Sequence, residues 1–309
     1  MKFAIFGAGG LGAFYGARLA AAGYDVGFVA RGAQLEALRT KGLQVFSPLG
    51  DLRLEKPRAS NDPAELGPAD AVLVGVKTWQ LPDAATAMRA LVGPQTMVVP
   101  FLNGVEAPDE LAAALGKERV LGGLSKVFCL LESPGVVRHF NAGAYVEIGE
   151  LAGGASKRAE DLRAAFAKAG VEAKVSEDIR TELWKKLVTV TSWAGLGALA
   201  RSPMGALRKQ PETRKLIDRA MDEGIAIGLC RGHALFESFK TGLWQFYEAM
   251  PEGATASMQR DLMAGKPSEL EAWNGAMVRF GAQCGVDTPV HEFTYHALLP
   301  MERRARGQA

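Results

Sequence analysis

The sequence predicts an α/β domain built on a mainly parallel sheet over residues 1–176, followed by an all-α domain over residues 177–309. Three observations predict it. The first half alternates short β-rich runs with helical patterns, the second half has helical periodicity without a convincing strand, and a glycine string separates the first strand from the first helix. Composition agrees: 309 residues, 48% hydrophobic and 23% charged, describe a soluble folded chain rather than a disordered one. At roughly 150 residues per domain, the length accommodates two cores without a structural metal or disulfides. With 36 basic against 34 acidic residues and no block of like charge, no field suits nucleic acid or an anionic membrane. A small molecule is the expected partner.

In the first domain, strands are expected at residues 3–6, 25–30, 71–76 and 97–102, with residues 171–176 closing the series. Segments 127–129, 135–140 and 144–148 alternate around glycines and read as a small antiparallel extension, and a helix over residues 156–169 follows. Beyond Ser176, residues 179–200, 212–230, 243–250 and 270–284 carry helical periodicity. Cys129, Cys230 and Cys284 are far apart and odd in number, so neither a disulfide framework nor a four-cysteine metal site is expected and a reducing compartment, the cytoplasm, fits. Uncharged runs at residues 3–17, 90–105 and 187–200 fall short of the roughly 18 to 20 residues that span a bilayer, and the last reads as a buried helix. The first 23 residues have the outline of a signal peptide, but their regularly placed glycines argue for a nucleotide loop instead.

Gly7-Ala8-Gly9-Gly10-Leu11-Gly12 is a G-x-G-x-x-G string that directly follows a buried strand and directly precedes a helix. In that context Gly7 makes a tight turn, Gly9 admits a pyrophosphate close to the backbone, and Gly12 lets helix and strand pack closely, as in a Rossmann-type dinucleotide-binding domain. The helix N-terminus adds N–H donors and a positive dipole end. An acidic residue that would hold a ribose 2′-OH is missing at the end of the second strand, where Arg31-Gly32 stands instead. A guanidinium there suits a 2′-phosphate, hence NADP, with an exposed loop cation as the plain alternative. Lys77 and Asn103 follow the next two strands and fall on the same rim, where cofactor or substrate binds in an open α/β sheet.

In the helical domain, Lys186 lies three residues after Leu183, seven after Ile179 and four before Val190, on an apolar face, whereas Lys185 shares the face of Glu182 and Thr189. A lysine partly desolvated there has a lowered pKa and can serve as a general acid, although a snorkelling lysine would give the same pattern. Ser268, with Glu271 three residues on, reads as a helix start with a capping box. His291 and His296 are five apart and do not match H-E-x-x-H, no G-x-S-x-G elbow occurs, and His139 and His233 are isolated. No metal site is expected.

Taken in order, the Gly7 loop, Arg31, Val76-Lys77-Thr78-Trp79-Gln80, Leu102-Asn103-Gly104-Val105, Leu183-Trp184-Lys185-Lys186-Leu187, Ser257-Met258 with Asp261, Ser268-Glu269 and Asn274-Gly275 resemble the ketopantoate reductase (2-dehydropantoate 2-reductase) family over residues 1 to about 290. The resemblance implies NADPH-dependent reduction of the C2 ketone of a 2-oxo acid, ketopantoate first, to pantoate on the route to pantothenate and coenzyme A. It implies Lys186 as general acid, Glu269 orienting Lys186 or holding the substrate hydroxyl, Ser257 and Asn103 hydrogen-bonding substrate, and Lys77 near the nicotinamide. Gly7 to Gly12, Arg31, Lys77, Asn103 and Glu269 would then line the cofactor, in a cleft between the domains that closes on substrate. A monomer or homodimer is expected. Two positions depart from the family: asparagines expected four and eight residues after the lysine are Val190 and Ala194, which points to a different or more apolar 2-oxo acid as the alternative substrate. A non-catalytic NADP-binding regulatory module is the reading from another class.

Overall fold

In the computed structural model, which describes residues 1–308, the apolar run at the start forms strand β1 (Lys2–Phe6), buried from Phe3 onward. The elements that follow in the first unit are α1 (Gly10–Ala21), β2 (Asp25–Val29), α2 (Gly32–Thr40), β3 (Leu43–Phe46), β4 (Leu52–Leu54), β5 (Arg58–Ser60), β6 (Ala69–Val74), α3 (Leu81–Met88), β7 (Val92–Pro100), α4 (Ala107–Leu115), β8 (Leu121–Lys126), β9 (Cys129–Ser133), β10 (Val136–His139), β11 (Tyr145–Glu150), α5 (Lys157–Lys168) and β12 (Glu172–Val175). The main sheet has the order β5-β2-β1-β6-β7 and is parallel throughout. Side chains alternate across it with period two: Phe3 and Ile5 join Phe14, Phe28 and Phe166 on one face, while Ala4 and Phe6 join Val72, Val74 and Leu111 on the other. Both faces are covered, so the strands read as continuous apolar runs.

Two details of the sheet differ from the sequence reading. The fifth main strand is β5, three residues at the edge beside β2, whereas β12 pairs in parallel with β11 in a separate sheet ordered β12-β11-β8. Three residues with two polar side chains carry no usable periodicity, and sheet membership is a matter of long-range pairing. The glycine-rich extension is likewise divided: β9 and β10 pair antiparallel in a sheet ordered β4-β3-β10-β9, and β11 pairs antiparallel with β8.

The second unit is helical, with no strand among its described residues. It contains most of α6 (Ile179–Ala200), then α7 (Met204–Lys209), α8 (Pro211–Cys230), α9 (Glu237–Ala249), α10 (Ser257–Met263), a π turn at Glu271–Gly275, α11 (Ala276–Cys284) and α12 (Pro289–Ala305). The contact boundary falls inside α6: Met1–Leu102 with Glu106–Glu182 form one unit, and Asn103–Val105 with the chain from Leu183 form the other. Trp184, Leu187, Val188, Met221, Trp273 and Met277 are its buried centre. No helix among the described residues is long and apolar enough to cross a membrane.

One expectation is overturned here. Cys230 and Cys284 form a disulfide, with Cα atoms 6.1 Å apart, and only Cys129 is free. They are 54 residues apart in sequence, but each is the last residue of its helix, and α8 packs against α11 so that the two helix ends meet. Sequence separation carries no information about that packing. α12 also went unread, because its start at Pro289 is capped not by a neighbour but by Glu223 of α8, whose carboxylate accepts the N–H groups of Val290 at 2.9 Å and His291 at 3.1 Å.

Candidate active site

The loop between β1 and α1 is built as the glycine spacing requires. Gly7 has φ +101°, and a Cβ there would lie 2.8 Å from Val76 Cγ1 and 2.9 Å from Gly75 C, so neither its conformation nor its space admits a side chain. A Cβ on Gly12 would lie 2.1 Å from Gly7 O and 3.0 Å from Ile5 Cγ2, which is the close helix-to-strand approach. A Cβ on Gly9 would meet nothing within 4 Å, so the backbone at the N-cap of α1 is open on that side. The N–H groups of Gly10, Leu11 and Gly12 lie in the first turn, where no intrahelical acceptor exists, and Ala8 is buried beneath them with its carbonyl held by Gln34 Nε2 at 2.9 Å.

The sheet order puts the other candidates of this unit on the same edge. β2, β1 and β6 are parallel neighbours, so Arg31, the Gly7 loop and Lys77, each just past a strand end, follow one another along it. The chain leaves β1 for β2 on one side and returns to β6 on the other, so the glycine loop stands where the strand order reverses. Arg31 is exposed and occupies the N-cap of α2. Lys77 is half-buried at the N-cap of a single 3₁₀ turn (Thr78–Gln80); its N–H donates to Gln80 Oε1 at 3.1 Å and its Nζ lies 5.8 Å from the centre of the Trp79 ring.

In the helical unit, Asn103 and Glu269 meet although 166 residues separate them: Asn103 Nδ2 donates to Glu269 Oε2 at 3.2 Å. Glu269 is 4% exposed, and the segment that carries it is anchored from behind. Ser268 N–H donates to both carboxylate oxygens of Glu302 on α12, at 3.1 and 3.0 Å, Ser268 Oγ donates to Glu302 Oε2 at 2.5 Å, and Arg306 clamps the same carboxylate and Ser268 O. The capping box expected for Ser268 is therefore not formed. Ser268 Oγ does accept the Leu270 N–H at 3.2 Å, but Glu271 turns away to Tyr295 Oη at 2.5 Å and to Arg279, because Glu302 already fills the place at the Ser268 N–H. The helix then opens with the π turn.

Lys186 and Lys185 are both half-buried on α6, between the fully buried pairs Leu183-Trp184 and Leu187-Val188. Downstream, Val190 packs at the margin of the helical core and Ala194 is fully buried in it. Ser257 is half-buried as the first residue of α10. That short helix is tied to the end of α6 by Gln259, 1% exposed, whose Nε2 donates to Gly197 O at 3.1 Å and Ser202 O at 2.9 Å. Gln259 and Glu302 escaped the sequence reading. A lone Gln and a Glu in a C-terminal helix carry no motif, and only burial identifies them. His139 is buried and bonded to Ser47 Oγ, and no group of His, Cys, Asp or Glu among the described residues is arranged to hold a metal.

A parallel sheet with a glycine loop at its point of reversal, joined in the chain to a helical unit, is the architecture of the Rossmann-type α/β proteins with a helical second domain. The sequence description "Ketopantoate reductase PanE/ApbA" matches residues 3–153, and its C-terminal counterpart matches residues 178–302. The chain belongs to the ketopantoate reductase family. It is 32% identical over 98% of its length to the 2-dehydropantoate 2-reductase of Mesorhizobium japonicum, covering 97% of that protein. It is 28% identical over 98% of its length to YkpB, an uncharacterized oxidoreductase of Bacillus subtilis, covering 99% of it. The crystal structure of a PanE/ApbA family ketopantoate reductase from Ralstonia eutropha superposes with a TM-score of 0.91 at 31% identity, covering 99% of this chain and all of that one.

Proposed function

We propose that this protein is an NADPH-dependent reductase of 2-oxo acids, with ketopantoate as its first substrate and Lys186 as the general acid. The observation that carries the reading is the Asn103–Glu269 hydrogen bond, which joins two site residues from distant parts of the chain with the carboxylate buried and its segment anchored from behind. A dinucleotide fits the loop geometry: Gly9 is open where a pyrophosphate would approach, the first-turn N–H groups are available donors, and Arg31 is an exposed cation where a 2′-phosphate would lie. When bound, that cofactor supplies the hydride.

What remains falls to the protein. Lys186 Nζ donates a proton to the ketone oxygen as negative charge develops there, and its own charge stabilises that oxygen in the transition state. Glu269 is an acceptor that orients Lys186 or the substrate hydroxyl, and Asn103 in turn holds the carboxylate. Ser257 and the second amide hydrogen of Asn103 hydrogen-bond substrate, with Lys77 toward the nicotinamide side.

Val190 and Ala194 favour a second reading of the substrate. Two apolar side chains on the helix of Lys186 offer no hydrogen bond to a substrate hydroxyl, which suits a more apolar 2-oxo acid than ketopantoate. The experiment is NADPH oxidation followed by absorbance, with ketopantoate beside a panel of branched and aromatic 2-oxo acids, repeated with NADH. Turnover highest on ketopantoate supports the first reading, and turnover highest on an apolar acid supports the second. Tight NADPH binding with no turnover on any acid sinks both in favour of a regulatory module.

A further inference from the structure

Four buried side-chain polar atoms among the described residues have no hydrogen-bond partner: Thr191 Oγ1, Trp273 Nε1, Asn274 Oδ1 and Thr294 Oγ1. Three of them belong to one junction in the helical unit, where α6 supplies Thr191, the π turn supplies Asn274 and α12 supplies Thr294. These residues are 2%, 1% and 1% exposed. Their proximity is fixed by contacts around a single turn of α6. Asn274 Nδ2 reaches Thr191 O at 3.5 Å, and one turn further on a Cβ placed on Gly195 would lie 3.0 Å from Asn274 Oδ1 and 2.3 Å from Thr294 Cγ2.

The orientation of Asn274 is not arbitrary. His291 Nε2 lies 3.1 Å from Ala220 O, and a carbonyl only accepts, so Nε2 carries the proton and Nδ1 keeps its lone pair. Asn274 must then present its NH₂ to Nδ1, at 3.1 Å. Burial holds the imidazole neutral, pushing its pKa down to about 4, so Nδ1 remains an acceptor at neutral pH. The amide is pinned, and its oxygen is left facing Gly195 and Thr294 with no donor. A buried carbonyl without a donor, in a junction whose two buried threonine hydroxyls also lack partners, is an arrangement that folded proteins avoid because each group costs about 1–3 kcal/mol unsatisfied.

We propose that this junction holds an internal water molecule that donates to Asn274 Oδ1 and takes up the hydroxyl groups of Thr191 and Thr294. Water suits the set because it supplies the donor Asn274 lacks and accepts from, or donates to, a hydroxyl in any rotamer; a cation would find one amide oxygen and no carboxylate. Asn274 lies five residues beyond Glu269 in the chain and Thr191 five beyond Lys186, so the site joins the helix of Lys186 to the π turn that follows Glu269. It depends on neither the substrate nor the cofactor.

The test is a crystal structure of the protein at a resolution that shows ordered solvent, together with the thermal midpoint of Thr191→Val. Density within hydrogen-bond distance of Asn274 Oδ1 and both hydroxyls establishes the site, density that misses Thr191 Oγ1 overturns it, and the isosteric valine should lower Tm by about 2 to 4 °C, the shift for one lost net hydrogen bond. A dry junction, including one in which Thr294 Oγ1 turns to bond Asn274 Oδ1 directly, overturns the proposal. So does a Tm that is unchanged or raised in the valine variant, since deleting a truly unbonded buried hydroxyl removes a penalty.

Discussion

At Gly12 there is no room for a methyl group, at Gly9 there is nothing but room, and these two spaces, three residues apart, show how single positions shape the loop between β1 and α1. The same scale governs the charges. Lys186→Ala should lower kcat about 10²- to 10⁴-fold, the range for losing a general acid, while leaving NADPH affinity measured by fluorescence titration within a few-fold. A kcat near wild type removes Lys186 from the chemistry. Arg31→Asp should raise the Kd for NADPH about 10- to 100-fold and that for NADH hardly at all, because a charge-assisted hydrogen bond is lost only where a 2′-phosphate exists. Equal weakening of both cofactors would mean that Arg31 does not face the 2′ position. The glycine string, Arg31, Lys77 and Lys186 were legible in the sequence because each is tied to a local pattern, a strand end or a helical face. Gln259 and Glu302 were not, because what makes them matter is burial against Gly197 and Ser268, far away in the chain.

Elements are held by capping groups borrowed from one another. Glu223 of α8 caps α12, Glu302 of α12 anchors the segment before the π turn, and His291 at the start of α12 bonds back to α8 through Ala220 O. His291 makes this assembly sensitive to acid. Its folded pKa of about 4 lies below the unfolded histidine value of roughly 6.5, so the unfolded state takes up the proton first and stability falls as pH drops through that window. The expected loss is about 2 kcal/mol by pH 5. Glu223, whose carboxyl burial raises, lies 4.0 Å from Nε2 and titrates in the opposite sense, so the histidine is isolated by comparison with His291→Gln. Urea denaturation at pH 7 and pH 5 should show wild type losing more stability than the variant. Parallel slopes would mean that His291 is accessible to protons in the folded state. Helices α6 and α8 were readable from periodicity nearly to the residue, but α12, whose start at Pro289 is capped from α8, and the three-residue β5 were not, since what fixes each is a partner far away in the chain.

For the molecule as a whole, the cross-link between α8 and α11 is the feature with a stability consequence. Closing 54 residues of chain limits the unfolded ensemble, with a ceiling of about 4 kcal/mol from loop entropy. Adding a thiol reductant should therefore lower Tm in wild type and leave Cys230→Ser, already lowered, unmoved. A wild-type Tm indifferent to reductant would show that the bond contributes nothing to stability. By itself the sequence determined the order of α/β and all-α parts, the glycine loop at the end of β1, and the family, because periods of 2 and 3.6 and fixed motif spacings are properties of short segments. Only the tertiary structure decided that β5 rather than β12 completes the main sheet, that Cys230 meets Cys284, and that Asn103 holds Glu269 across 166 residues. Those are contacts between distant parts of the chain, selected by which surfaces bury one another, and no local pattern records them.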